Sequence, residues 1–349
     1  MERMDKNMPF LLRYENVAWY ENGKVRILDR RVYPELRFVE CETYQEVAQA
    51  IADMVTQSAG PYTAVGMGMA LAAYQAKGRR EEEQISFLKE ASCKLSHARP
   101  TTANRYGKIT ESCVSVAVDA LRSGNDPVDA IFMDTVASLN RRYGIMQKVG
   151  NNLLQLIPEN GTILTQCFGE TIIGTLIRAS IESGKSFKVY CAETRPFLQG
   201  ARLTSSCFAE MDFDTTVITD NMVAYAMQRE GIDVFTSAAD SITRDGHIAN
   251  KVGSYQMAIL AKFHGIPYYV TGIPDSDKYS VADIKIEMRD PKQVLEYCGV
   301  RSTLPQARAI YPSFDVVSPE LISALVTDKG IYSPALLNTY FESPVERFY

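Results

Sequence analysis

Histidine is scarce in this chain: only His97, His247 and His264 occur, and none stands in an HExxH or Cys/His cluster. A structural zinc site is therefore not expected, and chemistry without a metal is the default. Paired cysteines are missing too. Cys41, Cys93, Cys113, Cys167, Cys191, Cys207 and Cys298 are scattered, odd in number and form no CxxC. That pattern fits reduced thiols in a cytoplasm better than a disulfide framework. No apolar run is long enough to span a bilayer, and the opening MERMDKNMPFLLRY lacks the apolar stretch of a signal peptide. Charge of one sign is also lacking. Lys and Arg number 37 against 42 Asp and Glu, a net of −5, which leaves no footprint for nucleic acid or a membrane surface. No Walker-type loop exists. The G-x-G of VGMGMALAA lacks the next spaced glycine and the strand-then-helix setting of a dinucleotide fingerprint.

What remains is a chain of 349 residues, 46% hydrophobic and 23% charged, enough for two domains with sizeable cores. NVAWYENGKVRILDRRVYP alternates apolar and polar residues around Asn22-Gly23, a hairpin signal. From about Tyr44 to Tyr143 the apolar spacing turns helical, and KGRREEEQ reads as a solvated helix start. Beyond Gly161, TILTQ, FKVYCAE, TTVITD, IDVFTSAAD and PYYVTGI read as short strands separated by helical stretches. That alternation predicts α/β architecture: a C-terminal Rossmann-like doubly wound parallel sheet, preceded by a mostly helical domain with a small antiparallel β element. The boundary is placed at 1–148 and 149–349.

Open parallel sheets bind ligands beyond the carboxyl ends of their strands. The residues there are Gln166, Cys167, Gly169 and Glu170 after the first strand, then Glu193, Thr194 and Arg195 after the second. Asp220 and Asn221 follow the third strand, Asp240 the fourth, and Asp275 and Asp277 the fifth. Each has an ordinary explanation. A lone cysteine is usually packing, and a lone aspartate or the Asn250 of DGHIANKVG is usually a helix cap. The chemical alternative is an acid/base pair: a thiol of lowered pKa at Cys167 and a carboxyl kept protonated in an apolar pocket at Asp240. Asn250 and Lys251, read as preceding a helix, would place a cation and free N–H groups where a phosphate could sit.

TRPFLQGARLT, TDNM, AADSITRDGHIANKVGSYQMAILAKFHGIPYYV and YPSFDVVSPELISALVTDKGI resemble the methylthioribose-1-phosphate isomerase family. Its superfamily includes ribose-1,5-bisphosphate isomerases and regulatory subunits of the eukaryotic translation-initiation exchange factor. ILDRRVYP and ARPTTAN correspond in outline. The resemblance implies conversion of an aldose 1-phosphate to a ketose 1-phosphate, with Cys167 and Asp240 as catalytic residues and Arg99, Gln199, Asn250 and Lys251 holding the substrate. It implies no cofactor, a sugar-phosphate ligand, no nucleic acid or membrane partner, a cytoplasmic location and a homodimer. The regulatory subunits do not keep the cysteine–aspartate pair. This chain departs from the family where Gln166 precedes the cysteine, where FGE follows it, where Ser241 follows Asp240, and where TQSAGPYTAVG carries no arginine. Those departures keep a second reading open, a non-catalytic sugar-phosphate-binding protein of the same fold.

Overall fold

The computed structural model describes residues 3–99 and 103–344; Pro100, Thr101 and Thr102 of ARPTTAN lie outside them. The described residues divide into two compact units between Ile145 and Met146.

In the first unit a short helix α1 (Tyr14–Val17) leads into an antiparallel sheet of β1 (Ala18–Glu21), β2 (Lys24–Leu28) and β3 (Phe38–Cys41), in that order. Glu21 pairs with Lys24, and the two residues between them, Asn22 and Gly23, have φ of 50° and 80°, as a right-twisting two-residue turn requires. Helices α2 (Tyr44–Ala52), α3 (Gly60–Ala76), α4 (Glu81–Ser96) and α5 (Ala103–Arg122) follow. Thr43 and Glu46 close a capping box on α2, satisfying two N–H groups the helix leaves unpaired. Glu81, Glu82 and Glu83 occupy the first turn of α4, the solvated start expected of KGRREEEQ. VGMGM lies inside α3, which is buried almost all round. The core gathers Val25 and Ile27 from the sheet with Val47, Ile51, Met67, Leu71, Leu88 and Leu95 from the helices. Helix α6 (Pro127–Leu156) contains the division between the units.

The second unit contains β4 (Gly161–Gln166), α7 (Glu170–Ser183), β5 (Phe187–Ala192), a π-turn at Gly200–Thr204, α8 (Ser205–Glu210), β6 (Thr215–Ile218), α9 (Val223–Arg229) and β7 (Val234–Ala238). Next come β8 (Ser241–Ile242), β9 (Ile248–Lys251), α10 (Ser254–His264) and β10 (Tyr268–Thr271). The chain ends through α11 (Lys292–Leu295), β11 (Glu296–Tyr297), β12 (Val300–Arg301), β13 (Phe314–Val317), β14 (Ala324–Thr327) and β15 (Gly330–Tyr332). The main sheet has the order β15-β14-β10-β7-β4-β5-β6. All its neighbours are parallel except β15, which pairs antiparallel with β14 at the edge. The five strands expected from the sequence are present. Ala324–Thr327 adds a sixth parallel strand that the sequence reading did not count. Leu164, Phe235, Val270 and Leu325, one from each central strand, are wholly buried, as strands covered on both faces must be. The chain runs outward from β4 to β6, then resumes on the other side of β4 with β7. That reversal opens a crevice beyond the ends of β4 and β7. A separate antiparallel sheet, β13-β9-β8, begins just past β7.

Candidate active site

Cys167 follows β4 directly and Asp240 follows β7 by two residues, so both stand at the reversal point. Cys167 takes a left-handed backbone, φ 59°, a region L residues avoid. Several bonds hold it there. Its N–H donates to Thr194 Oγ1 at 2.9 Å, and its carbonyl accepts from Thr204 of the π-turn. Thr194, itself at φ 66°, is anchored in turn: its N–H and that of Arg195 donate to the Asp220 carboxyl at 2.9 and 2.7 Å. Gly169 lets the two strand ends approach. A Cβ at that position would lie 2.6 Å from Ile172 Cγ2 and 2.8 Å from Ala238 Cβ, two residues before Asp240.

The electrostatics differ from the sequence expectation in sign. Burial pushes the Cys167 thiol up to about 11; Lys251 pulls it down, Asp240 pushes it further up, and Arg289 pulls it down. The cysteine is thus a protonated thiol at neutral pH and not a thiolate, because lost hydration outweighs the nearby cations. Asp240 is exposed, in the turn between β7 and β8, with its N–H bonded to Ala249 O at 2.9 Å. The apolar enclosure expected around its carboxyl is therefore not formed. Behind it, Ser241 Oγ donates to Asp275 Oδ2 at 2.6 Å and Lys278 joins the same carboxylate at 3.2 Å.

Asn250 and Lys251 belong to strand β9 and not to a helix start. Their ladder with β8 and β13 places Ala249 beside Ser241 and Asn250 beside Asp315. The amides at the start of α10 are not free for a phosphate. Gly253 N–H and Tyr255 N–H both donate to Asp315 Oδ2, at 2.7 and 3.0 Å, so a carboxylate of the chain itself takes the anion's place. Asn250 Nδ2 donates to Ser254 Oγ at 2.9 Å, and the Ser254 hydroxyl lies 2.6 Å from Gln166 Oε1 and 2.7 Å from Lys251 O. Gln166 Nε2 donates to Val252 O at 2.8 Å. The glutamine before the cysteine therefore ties the end of β4 to the segment that carries Lys251. Lys251 is buried, its Nζ 4.8 Å from the Phe314 ring centroid. Gln199 is buried with Oε1 unpartnered among the described residues. Arg99 lies in the first unit, half-buried just past α4.

Two side chains that sequence reasoning missed share this neighbourhood. Arg289 acts on the Cys167 thiol, and Tyr311, its phenol raised by burial and drawn back by Arg289, feels Cys167 in turn. Both sit in segments that read as loops; the apolar–charged alternation of KIEMR was the available signal. Among the described residues no group of three or more His, Cys, Asp or Glu side chains could hold a metal ion.

The arrangement places a protonated thiol, a carboxyl and two buried cations around the ends of two adjacent parallel strands. The chain is 36% identical over 329 residues to the methylthioribose-1-phosphate isomerase of Desulforudis audaxviator, covering 90% of this chain and 94% of that one. Its fold matches the crystal structure of 5-methylthioribose 1-phosphate isomerase from Pyrococcus horikoshii with a TM-score of 0.79 at 28% identity, covering 98% of each chain. It matches the delta subunit of translation initiation factor eIF-2B from A. fulgidus with a TM-score of 0.78 at 27% identity, covering 92% of this chain and 96% of that one. Residues 58–334 match the initiation factor 2 subunit family, and the chain belongs to that family.

Proposed function

We propose that the protein is an aldose–ketose isomerase that converts a 5-substituted ribose 1-phosphate, such as S-methyl-5-thioribose 1-phosphate, to the ribulose 1-phosphate in methionine salvage. Curated relatives at 33–36% identity over most of the chain carry that activity in their names. The observation that carries the reading is the thiol–carboxyl pair at the reversal point of the sheet, coupled through space.

A phosphate on C1 prevents simple ring opening to an aldehyde. The reaction needs a proton on the ring oxygen, loss of a proton from the C2 hydroxyl, and transfer of hydrogen from C2 to C1. Oxidation at C2 balances reduction at C1, so no external redox partner is consumed. Because Cys167 holds its proton at neutral pH, it is the proton donor of the pair, and Asp240 is the acceptor. This exchanges the roles expected when the thiol was taken to be acidic. The thiolate left by donation is stabilised by Lys251 and Arg289, and recovers its proton through Asp240. Gln199 Oε1 accepts from a sugar hydroxyl, while Asn250 and Lys251 hold the substrate, the lysine meeting its phosphate. The enzyme works in the cytoplasm as a homodimer. Tyr255, Ile259 and Phe263, at four-residue spacing on α10, are exposed, Phe263 by 81%, and this stripe is the pairing surface.

Phosphorus and proton NMR of the purified protein with several 5-substituted ribose 1-phosphates tests the activity. Appearance of a ketose 1-phosphate that is lost in Cys167→Ser and in Asp240→Asn supports it; wild-type rates in both variants refute the roles. The fold's likeness to an initiation-factor subunit, as close as its likeness to the isomerase crystal structure, keeps a second reading in view, a non-catalytic sugar-phosphate binder. Thermal stabilisation by a pentose 1-phosphate without product would favour that reading.

A further inference from the structure

Segments 287–289 and 311–313 run antiparallel side by side. Ser313 N–H donates to Glu287 O and Arg289 N–H to Tyr311 O, each at 2.9 Å, and Met288 bridges Pro312. Alternation along extended chain puts Glu287, Arg289, Tyr311 and Ser313 on one face and Met288 on the other. The burial is inverted from the usual order: Met288 is 61% exposed, while the Arg289 side chain is 8% exposed and Tyr311 and Ser313 are buried. Hiding a guanidinium and showing a methionine opposes the hydrophobic effect, so another requirement places the polar row inside.

That row is incompletely paired. Arg289 Nε donates to Glu287 Oε1 at 3.2 Å, and the guanidinium lies 5.7 Å from the Phe197 ring centroid. Arg289 Nη1, the Tyr311 hydroxyl and Ser313 Oγ make no well-formed hydrogen bond among the described residues, and the Tyr311 phenol has the Arg289 guanidinium close beside it. Each buried polar atom left unpaired costs about 1–3 kcal/mol, and here three share one face. The row faces the reaction site: Arg289 and Tyr311 both interact electrostatically with Cys167, and Ser313 O accepts from Val252 N–H at 3.1 Å, next to Lys251.

We propose that Arg289 and Tyr311 are direct contacts to the reacting sugar, the guanidinium Nη1 and the phenol O–H donating to the oxygen on C2. The inference rests on the isomerase reading. That oxygen gives up its proton whether hydrogen crosses from C2 to C1 as a proton or as a hydride, and it carries negative charge as it does so. Two donors fixed in a buried wall, one of them permanently charged, stabilise that charge without reorganising. Neither donor exchanges a proton with the substrate; the C2 hydroxyl proton goes to Asp240.

The test compares wild type with Arg289→Lys, Arg289→Met and Tyr311→Phe. Tyr311→Phe removes a hydroxyl that makes no well-formed hydrogen bond, so its melting temperature should stay close to that of wild type. Its kcat should nevertheless fall by about 10²-fold with KM nearly unchanged, the pattern of a lost transition-state donor. Arg289→Met should lose more than Arg289→Lys, since lysine keeps the charge but not the fork. A Tyr311→Phe enzyme with wild-type kcat and KM overturns the inference while leaving the isomerase reading standing. Should wild type turn over no sugar phosphate, the isomerase reading fails, and thermal shift with ribose 1-phosphate decides the contact. A smaller shift in both Tyr311→Phe and Arg289→Met than in wild type upholds it, and equal shifts overturn it.

Discussion

The sharpest consequence of the site's electrostatics concerns how reluctantly Cys167 ionises. Burial moves its thiol from an ordinary 9.0 to about 11. At about pH 8 an unperturbed thiol is roughly 10% thiolate and Cys167 about 0.1%, so alkylation by iodoacetamide should be about 100-fold slower at Cys167. Peptide-resolved mass spectrometry measures this directly, with the exposed Cys93 and Cys298 as references in the same protein. The Cys167 rate should keep rising about tenfold per pH unit until about pH 11. Asp240→Asn removes a charge that pushes the thiol up and should speed alkylation. Lys251→Met removes the largest opposing charge and should slow it. The same shift has a thermodynamic face. The folded state holds this proton more tightly than the unfolded chain, so its contribution to stability is complete below about pH 9 and is lost as pH rises towards 11. Two pKa units correspond to about 2.7 kcal/mol. A Cys167 alkylation rate that levels off by pH 8, or that exceeds the rate at Cys93, would refute the reasoning and return the cysteine to the role of a thiolate base.

Gly200→Ala would place a Cβ 1.8 Å from Ala192 O; the forced shift should cost about 1–3 kcal/mol in urea unfolding and, being next to Gln199, should raise KM. Cys167→Gly should unfold later than Cys167→Ala by about 1 kcal/mol, because glycine accepts φ 59° without strain, although both lack the thiol and should be inactive. Phe263→Glu should halve the mass measured by light scattering if the α10 stripe pairs two copies; an unchanged mass would remove that stripe from the interface.

Local pattern carried a good deal of this architecture. The Asn22-Gly23 hairpin needs only two residues of the right backbone preference. The β/α alternation after Gly161 is written in runs of four to six β-branched or aromatic residues between helical stretches, and it located Cys167 and Asp240 at strand ends. What escaped was set by distant partners. IANK looks like a helix cap beside SYQMAILAKFH. It is a strand because Phe314–Val317, more than sixty residues later, lies beside it, and because Asp315 already occupies the helix start. ALVT, lying in a stretch dense with turn residues, becomes a sixth parallel strand only by pairing with β10. The thiol's direction of shift depends on how much water the fold removes from it, which no spacing encodes. Arg289 was hidden because a polar row facing inward inverts the pattern by which strands are recognised.

Strain at the site bears on how one fold can serve different ends. Cys167, Thr194 and Leu198 all hold left-handed backbones, at 59°, 66° and 59°, and a π-turn at Gly200–Thr204 follows at once. An L residue in that region costs about 1–2 kcal/mol, so the ends of β4 and β5 store strain that ordinary sheet pairing would not select. Bonds from elsewhere offset it: Asp220 to the amides of Thr194 and Arg195, Thr194 and Thr204 to the Cys167 backbone, and Gln166 to Val252. Strain of this kind persists only where the surroundings over-determine it, and it gathers at functional sites. The sheet itself is indifferent to chemistry, since it matches an isomerase and an initiation-factor subunit almost equally well. The contorted turn that presents the Cys167 thiol towards Lys251, Arg289 and Asp240 contributes nothing the sheet needs. The catalytic role proposed for Cys167 gives a reason to retain it that sheet pairing does not.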